Sequence, residues 1–325
     1  MKLSDYKYPV LVLPNIDMEL ELWEFYNYFI NLVTKENEQH LYIMGTEEEF
    51  TRLTCLKDNE NIKSIEISDD FYKDNWVRDY APVICKNNVN FVYDPSYYEE
   101  DDRELTEELD DWSYEFLDEE EFEASDIVLD GGNFIYNGED DAIISVKIFE
   151  DNCNLGYDAL LDELREVTGI KNFRFIGYDP YDETGHADGY VRFVDKQHVL
   201  VAALSDDYSM YGSAQISEDE YYEIKDVLDG IANQLEVFYK VTRIIHGMPA
   251  KEHEDSGMDS VVGGYINYMK IENKIYLPQF EMKELDDAAI EVIQKVYGAG
   301  ITVVPVNCLK LAPYGGLLNC ISWNC

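Results

Sequence analysis

Basic residues are scarce in this chain: 25 Lys+Arg stand against 68 Asp+Glu, a formal net charge of −43. A field of that sign repels phosphate backbones and anionic headgroups, which excludes nucleic acid and membrane surfaces as natural partners and draws in cations. Long apolar runs are missing too. The opening MKLSDYKYPVLVLP holds only a few apolar residues broken by prolines, too short for a signal-peptide core or a membrane span, so a cytoplasmic protein is expected. The six cysteines (Cys55, Cys85, Cys153, Cys308, Cys320, Cys325) form no CxxC pair and no dense framework, which argues for reduced thiols and against structural zinc. There is no Walker loop and no HExxH, leaving nucleotide hydrolysis and zinc proteolysis unsupported. Without an EF-hand pattern, calcium has no evident seat among the acidic residues.

What is present suits a sizeable core: 325 residues, 46% hydrophobic and 14% aromatic. From Asp17, a plausible cap, Met18, Leu22, Phe25, Phe29, Leu32 and Val33 recur at helical spacing, and LYIM at 41–44 reads as a strand. The acidic stretch from Glu99 to Asp126 places Leu105, Leu109, Trp112 and Phe116 on one helical face, which predicts an amphipathic helix with a solvated acidic side.

The second half repeats. A helix at YDALLDELREV leads to strand NFRFIGY and a hairpin, GYVRFV turning at DKQ into HVLVAAL. The order returns with helix EDEYYEIKDVLDGIANQL, strand VFYKVTRII and hairpin YINYMKI–ENK–IYLPQF, and begins again with LDDAAIEVIQKVY and ITVVPV. The strands recur about every 65 residues, a period suited to blades around a pseudo-symmetry axis. TGHADG and YGGLLNC follow equivalent strands, as NWVRD follows SIEI at 64–67, so these segments should converge at a centre.

The chemistry-bearing residues lie in such segments. NWVRDYAP (75–82) offers Trp76 and Asp79, LDGGN (129–133) offers Asp130, TGHADGYVRF offers His186 and Asp188, and GGLLNCIS (315–322) offers Cys320. If the segment is extended, His186 and Asp188, two apart, share one side of the backbone in a pairing that could orient a general acid/base; the segment reads equally as a surface turn. Taken singly, each has a bland reading: a buried cysteine, a turn histidine, an aspartate beside an arginine, a core tryptophan, a glycine turn. Together, cysteine, histidine and carboxylates are what displacement at an electron-poor carbon requires.

In this order, with GYINY at 264–268, these motifs resemble the guanidine-modifying enzyme superfamily, most closely its agmatine deiminase and bacterial (Porphyromonas-type) peptidylarginine deiminase branch. The resemblance spans nearly the whole chain. It implies an α/β fold, the five-bladed pseudo-symmetric α/β propeller called a pentein, as one domain over residues 1–325 with strand–hairpin–helix units around a central site. Three units are readable from the residues themselves, and the first two come from the resemblance. It further implies Cys320 as nucleophilic thiol, His186 as general acid/base, Asp79 and Asp188 as the carboxylates that clamp a guanidinium, and Trp76, Asp130 and Asn267 as substrate contacts. The implied reaction converts a guanidinium to a ureido group through a covalent thiouronium, with no metal and no organic cofactor.

Departures from the branch's pattern are Leu317 where a third glycine is common, Asn319 where histidine is usual, Ala81 for glycine, and a DETGH segment one residue short. Agmatine, a dication without a carboxylate, suits so acidic a chain. Peptidylarginine needs a carboxylate reader, and Arg103 is the only arginine between Asp79 and Arg165; free or methylated arginine shares the same chemistry. A different class, a lapsed enzyme acting as an acidic binder of a cationic partner, stays open beside them. A small cationic guanidine is the expected partner, and a monomer and a homodimer both remain open.

Overall fold

The computed structural model describes residues 8–57, 59–68, 73–94, 103–118, 121–211, 216–248 and 260–324. The chain enters through β1 (Val10–Val12), crosses helix Leu20–Asn31 to β2 (Leu41–Gly45), parallel to β1, and adds β3 (Ile62–Glu66), parallel to β2. β4 (Val89–Val92) and β5 (Glu123–Val128) pair in parallel across helices Arg103–Asp110 and Trp112–Phe116, with Val83 bridged antiparallel to Val89.

Three sheets then follow one plan, a hairpin, a helix and a returning parallel strand. β6 (Ile135–Tyr136) and β7 (Asp141–Ser145) are joined through helix Tyr157–Thr168 to β8 (Asn172–Ile176). β9 (Val191–Asp195) and β10 (His198–Ala203) continue through helix Glu218–Leu235 to β11 (Lys240–Ile245). β12 (Met269–Ile271) and β13 (Lys274–Gln279) continue through helix Lys283–Tyr297 to β14 (Thr302–Asn307). Finally β15 (Ser322–Trp323) runs antiparallel to β1, with Val10 opposite Trp323 and Leu11 opposite Ser322. The described residues thus form a mixed α/β protein of five separate sheets.

The patterns that build these units are local. In helix Glu218–Leu235, Tyr221, Ile224, Leu228, Ile231, Ala232 and Leu235 are buried at i, i+3, i+4 spacing. Its start is closed by a capping box, with the Ser217 hydroxyl accepting from the Glu220 N–H and Glu220 accepting from the Ser217 N–H. β10 is buried at every position because sheet partners flank it on both sides.

Three expectations are corrected. Asp17 is not the cap: Met18 N–H closes a turn on Asn15 C=O at 3.0 Å, and the helix begins only after Glu19. The acidic stretch is two helices rather than one. The break at Asp111 turns Trp112 into the core, 5.8 Å from Tyr80 and 5.7 Å from Trp323, with Leu109 buried and Phe116 beside it; residues 99–102 and the side chain of Leu105 lie outside the described set. The third hairpin starts at Met269, leaving GYINY in a connecting loop. Among the described residues Cys55, Cys85, Cys153, Cys308 and Cys320 are free thiols, and no helix is long and apolar enough to cross a membrane.

Candidate active site

Five connections carry the chain from the last strand of one sheet to the first of the next, and every singled-out motif sits in one of them. NWVRDYAP joins β3 to β4, LDGGN joins β5 to β6, TGHADG joins β8 to β9, GYINY joins β11 to β12, and GGLLNC joins β14 to β15. Each is pinned to its neighbours. Lys73, in a buried ion pair with Glu49 (2.8 Å), donates to Leu13 C=O at 2.7 Å, fixing the run into Trp76–Asp79. Arg78 N–H then reaches Cys320 C=O at 3.1 Å, tying the first connection to the last.

The imidazole of His186 lies between two carboxylates. Its Nε2 is 2.8 Å from Asp130 Oδ2 and its Nδ1 3.6 Å from Asp79 Oδ1, all three side chains being almost wholly buried. Gly132 N–H donates to Asp79 Oδ1 at 3.1 Å. A Cβ on Gly132 would stand 2.5 Å from that oxygen and 2.6 Å from His186 Nδ1, so this glycine is required by close approach. Gly132→Ala is expected to cost about 1–3 kcal/mol of stability by overpacking and about 100-fold in kcat/KM by displacing the pair. Urea melts and steady-state kinetics check the two effects separately.

Cys320 is half-buried. Its Sγ is 3.3 Å from Asn267 Nδ2 and 3.7 Å from Asp188 Oδ2. Asp188 does not share an extended strand with His186. Residues Ala187–Gly189 form a 3-10 turn, which sends Asp188 towards Cys320 while His186 faces Asp130 and Asp79. Asn133 holds that turn: its Oδ1 accepts from Ser145 N–H (2.8 Å) and Ala187 N–H (3.3 Å). Trp76 reaches the Cys320 loop through its ring, which occupies the space a Cβ on Gly316 would need, 2.3 Å from Trp76 Cζ3. Asp130, expected against the substrate, is seated on His186. Leu317 is core, packed beside Gly264 of the GYINY connection.

Burial and charge act together here. Burial alone pushes the His186 imidazolium down, but Asp79, Asp130 and Asp188 override it and raise the group to about 10. Burial pushes the Asp79 carboxyl up to about 7, helped by Asp130 and Asp188 and opposed by His186 and the Gly132 N–H. The Cys320 thiol is pushed well up by burial, then by Asp188 and Asp79. Arg78, partly desolvated and facing Arg192, is drawn down to about 10 despite Asp188 and Asp79. The cluster therefore holds a proton on His186, keeps Cys320 as a thiol, and favours any cation placed among its carboxylates.

Sequence reasoning missed Asn133, Arg78 and Arg192. Asn133 stood in plain view after Gly-Gly, where a buried amide in a short turn serves backbone N–H groups. The arginines gave no local signal, since their partners lie far along the chain.

A sequence profile of the Porphyromonas-type peptidyl-arginine deiminases matches residues 14–325. The chain belongs to the Porphyromonas-type peptidyl-arginine deiminase family. This deiminase-family protein is also 24% identical over 303 residues to the agmatine deiminase of Medicago truncatula, covering 81% of this chain and 78% of the relative. It superposes on a cysteine-to-serine variant of C. jejuni agmatine deiminase solved with substrate bound, at TM-score 0.77 and 18% identity, over 98% of this chain and 93% of the other. DDAH from Pseudomonas aeruginosa is more distant, with TM-score 0.52 and 11% identity over 98% of each chain. The likeness to the two solved structures shows a shared fold.

Proposed function

We propose that this protein hydrolyses agmatine to N-carbamoylputrescine and ammonia through a covalent adduct on Cys320. Membership of the deiminase family makes it a hydrolase of C–N bonds in a guanidino group. The observation that carries the finer reading is the meeting of Cys320, His186 and the carboxylates of Asp79, Asp130 and Asp188 in one buried cluster fed by the inter-sheet connections. A guanidinium is planar, permanently charged and rich in donors, so Asp79 and Asp188 grip it and hold its carbon near Sγ.

The bound cation offsets the two carboxylates that keep Cys320 protonated, so with substrate present the thiol loses its proton to solvent and the thiolate forms. Sγ bonds to the guanidino carbon, the C–N bond breaks, and the imidazolium of His186 gives its proton to the departing ammonia. Neutral His186 then takes a proton from water, a C–O bond forms, the C–S bond of the thiouronium breaks, and the ureido product leaves with the thiol restored. Asp130 keeps the imidazole oriented through its 2.8 Å contact. Trp76 and Asn267 border the substrate, Trp76 through its ring face.

The five sheets are read as blades of a single catalytic domain, residues 1–325, arranged as a propeller around this cluster. The equivalent placement of all five connections supports that arrangement. Agmatine is favoured among guanidines because Arg78 and Arg192, the arginines beside Cys320, are engaged with Asn319 and Tyr268 and do not offer a carboxylate reader. The test is mass spectrometry after incubation with agmatine, free arginine, a methylated arginine and an arginine peptide. Replacing NH by O adds about one mass unit, expected first and fastest with agmatine. Faster conversion of the peptide would overturn the substrate, and no conversion of any member would favour the acidic binder.

A further inference from the structure

Asn319 is buried, and every polar group it has is engaged. Its N–H donates to Asn267 Oδ1 at 3.0 Å, and its C=O accepts from Arg78 Nε (3.4 Å), Ser322 N–H (3.1 Å) and the Ser322 hydroxyl (3.2 Å). Its Oδ1 accepts from Arg192 Nη1 at 2.8 Å, and its Nδ2 donates to Asp188 Oδ2 at 2.7 Å. These partners fix the amide's orientation, because a guanidinium can only donate and a carboxylate only accept. They come from the connections after β3, β8 and β11 and from β9, so one residue gathers most of the site onto the loop that carries Cys320.

Two of these bonds reach the reacting atoms at one remove. The Asn319 N–H donates to Asn267 Oδ1 and so holds the Asn267 amide against Sγ, its Nδ2 3.3 Å and its Oδ1 3.6 Å away. The Asn319 amide holds the same Asp188 oxygen that lies 3.7 Å from Sγ, and Arg192 braces that amide while its guanidinium rests on the Tyr268 ring at 4.5 Å.

We propose that Asn319 is a positioning residue: it aligns the Asp188 carboxylate and the Asn267 amide on Cys320, and relays the charge of Arg192 onto Asp188, moderating the negative field at the thiol. The inference rests on the functional reading above for its kinetic consequences, but not for its effect on the thiol.

The variants that test it are Asn319→Asp and Asn319→His. Asn319→Asp keeps size and the acceptor for Arg192 but sets a carboxylate against Asp188. Alkylation of Cys320 by iodoacetamide at neutral pH is then expected to slow at least about tenfold, by like-charge suppression of the thiolate. In turnover, kcat falls about 100-fold while KM for the guanidine does not rise, since a cation still meets carboxylates. Asn319→His supplies one donor and one acceptor nitrogen and is expected to restore alkylation and kcat to within about tenfold of the parent. An unmoved pH profile of alkylation in the folded Asn319→Asp protein would mean that charge at this position is not felt at the thiol. That outcome, with circular dichroism and Tm near the parent's, overturns the proposal. Should Asn319→Asp fail to fold, Asn319→His decides alone: parent-like alkylation supports the relay, and a thiol slowed more than about tenfold overturns it. A parent protein that converts no guanidine while the alkylation profile still shifts would sink the functional reading and leave this inference standing.

Discussion

Cys320→Ala is expected to lower guanidine turnover by about 10⁴-fold or more while leaving the fold intact. The size follows from the chemistry. A guanidinium carbon is protected by delocalisation, and nothing else among the groups contacting Sγ, an amide from Asn267 and a carboxylate from Asp188, replaces a thiolate as nucleophile. The fold should tolerate the change because alanine removes only the sulfur, whose contacts, at 3.3, 3.6 and 3.7 Å, are weak ones. Mass spectrometry of the protein quenched during turnover adds a direct readout: the parent carries a substrate-derived adduct and the alanine variant carries none. Retained turnover in the variant would remove the thiol from the mechanism, and with it the case for a covalent route.

His186→Gln is expected to lower kcat by about 10²–10⁴-fold, the range for losing a positioned acid and base. The glutamine amide still donates to Asp130 but moves no proton. The sign of the pH dependence follows from the two shifted groups. Asp79, raised to about 7, must be ionised to grip a cation, so kcat/KM should rise as pH rises through about 7. His186, raised to about 10, must be protonated to release ammonia, so kcat/KM should fall as pH passes about 10. Both limbs belong to the coupled pair as much as to either residue. The parent should therefore give a bell between those values and His186→Gln should lose the alkaline limb. An alkaline limb that survives the substitution would assign it to some other group. Removing the cation also leaves Asp79, Asp130 and Asp188 facing one another, so a lowered Tm is expected alongside, and thermal melts separate it from the kinetic loss.

The residues whose chemistry is unusual for their type were legible: Cys320, His186, Asp79, Asp188, Asp130 and Asn267 all fall in the connections between sheets. The repeating hairpin–helix–strand plan was legible from residue 157 onward because alternation and helical spacing are strong there. Earlier sheets were not. The sheet of β1, β2 and β3 is completed by β15, which no local pattern announces, and β5 begins inside the acidic stretch, where helical spacing was readable but a strand parallel to β4 was not. The supports of the site were hidden by distance along the chain. Arg78 meets Asn319 across 241 positions, Asp188 meets it across 131, and Arg192 across 127. Spacing in sequence carries no trace of such contacts. The turn at Ala187–Gly189 decides a choice the residues leave open, because GHADG reads equally as an extended run or a tight turn.

The antiparallel contact of Val10 and Leu11 with Trp323 and Ser322 bears on how the protein comes into being. Cys320 stands two residues before the strand that makes this contact, and the site needs side chains drawn from positions 79 to 320. On the proposed mechanism, catalysis waits until Cys320 has emerged and met Asp79, however early the N-terminal helices form. The closing step joins segments more than three hundred residues apart, the kind of contact that is slow to find and that exposes unpaired strand edges while it waits. A truncation before Ser322 removes the partner of Val10 and Leu11 and is expected to abolish turnover.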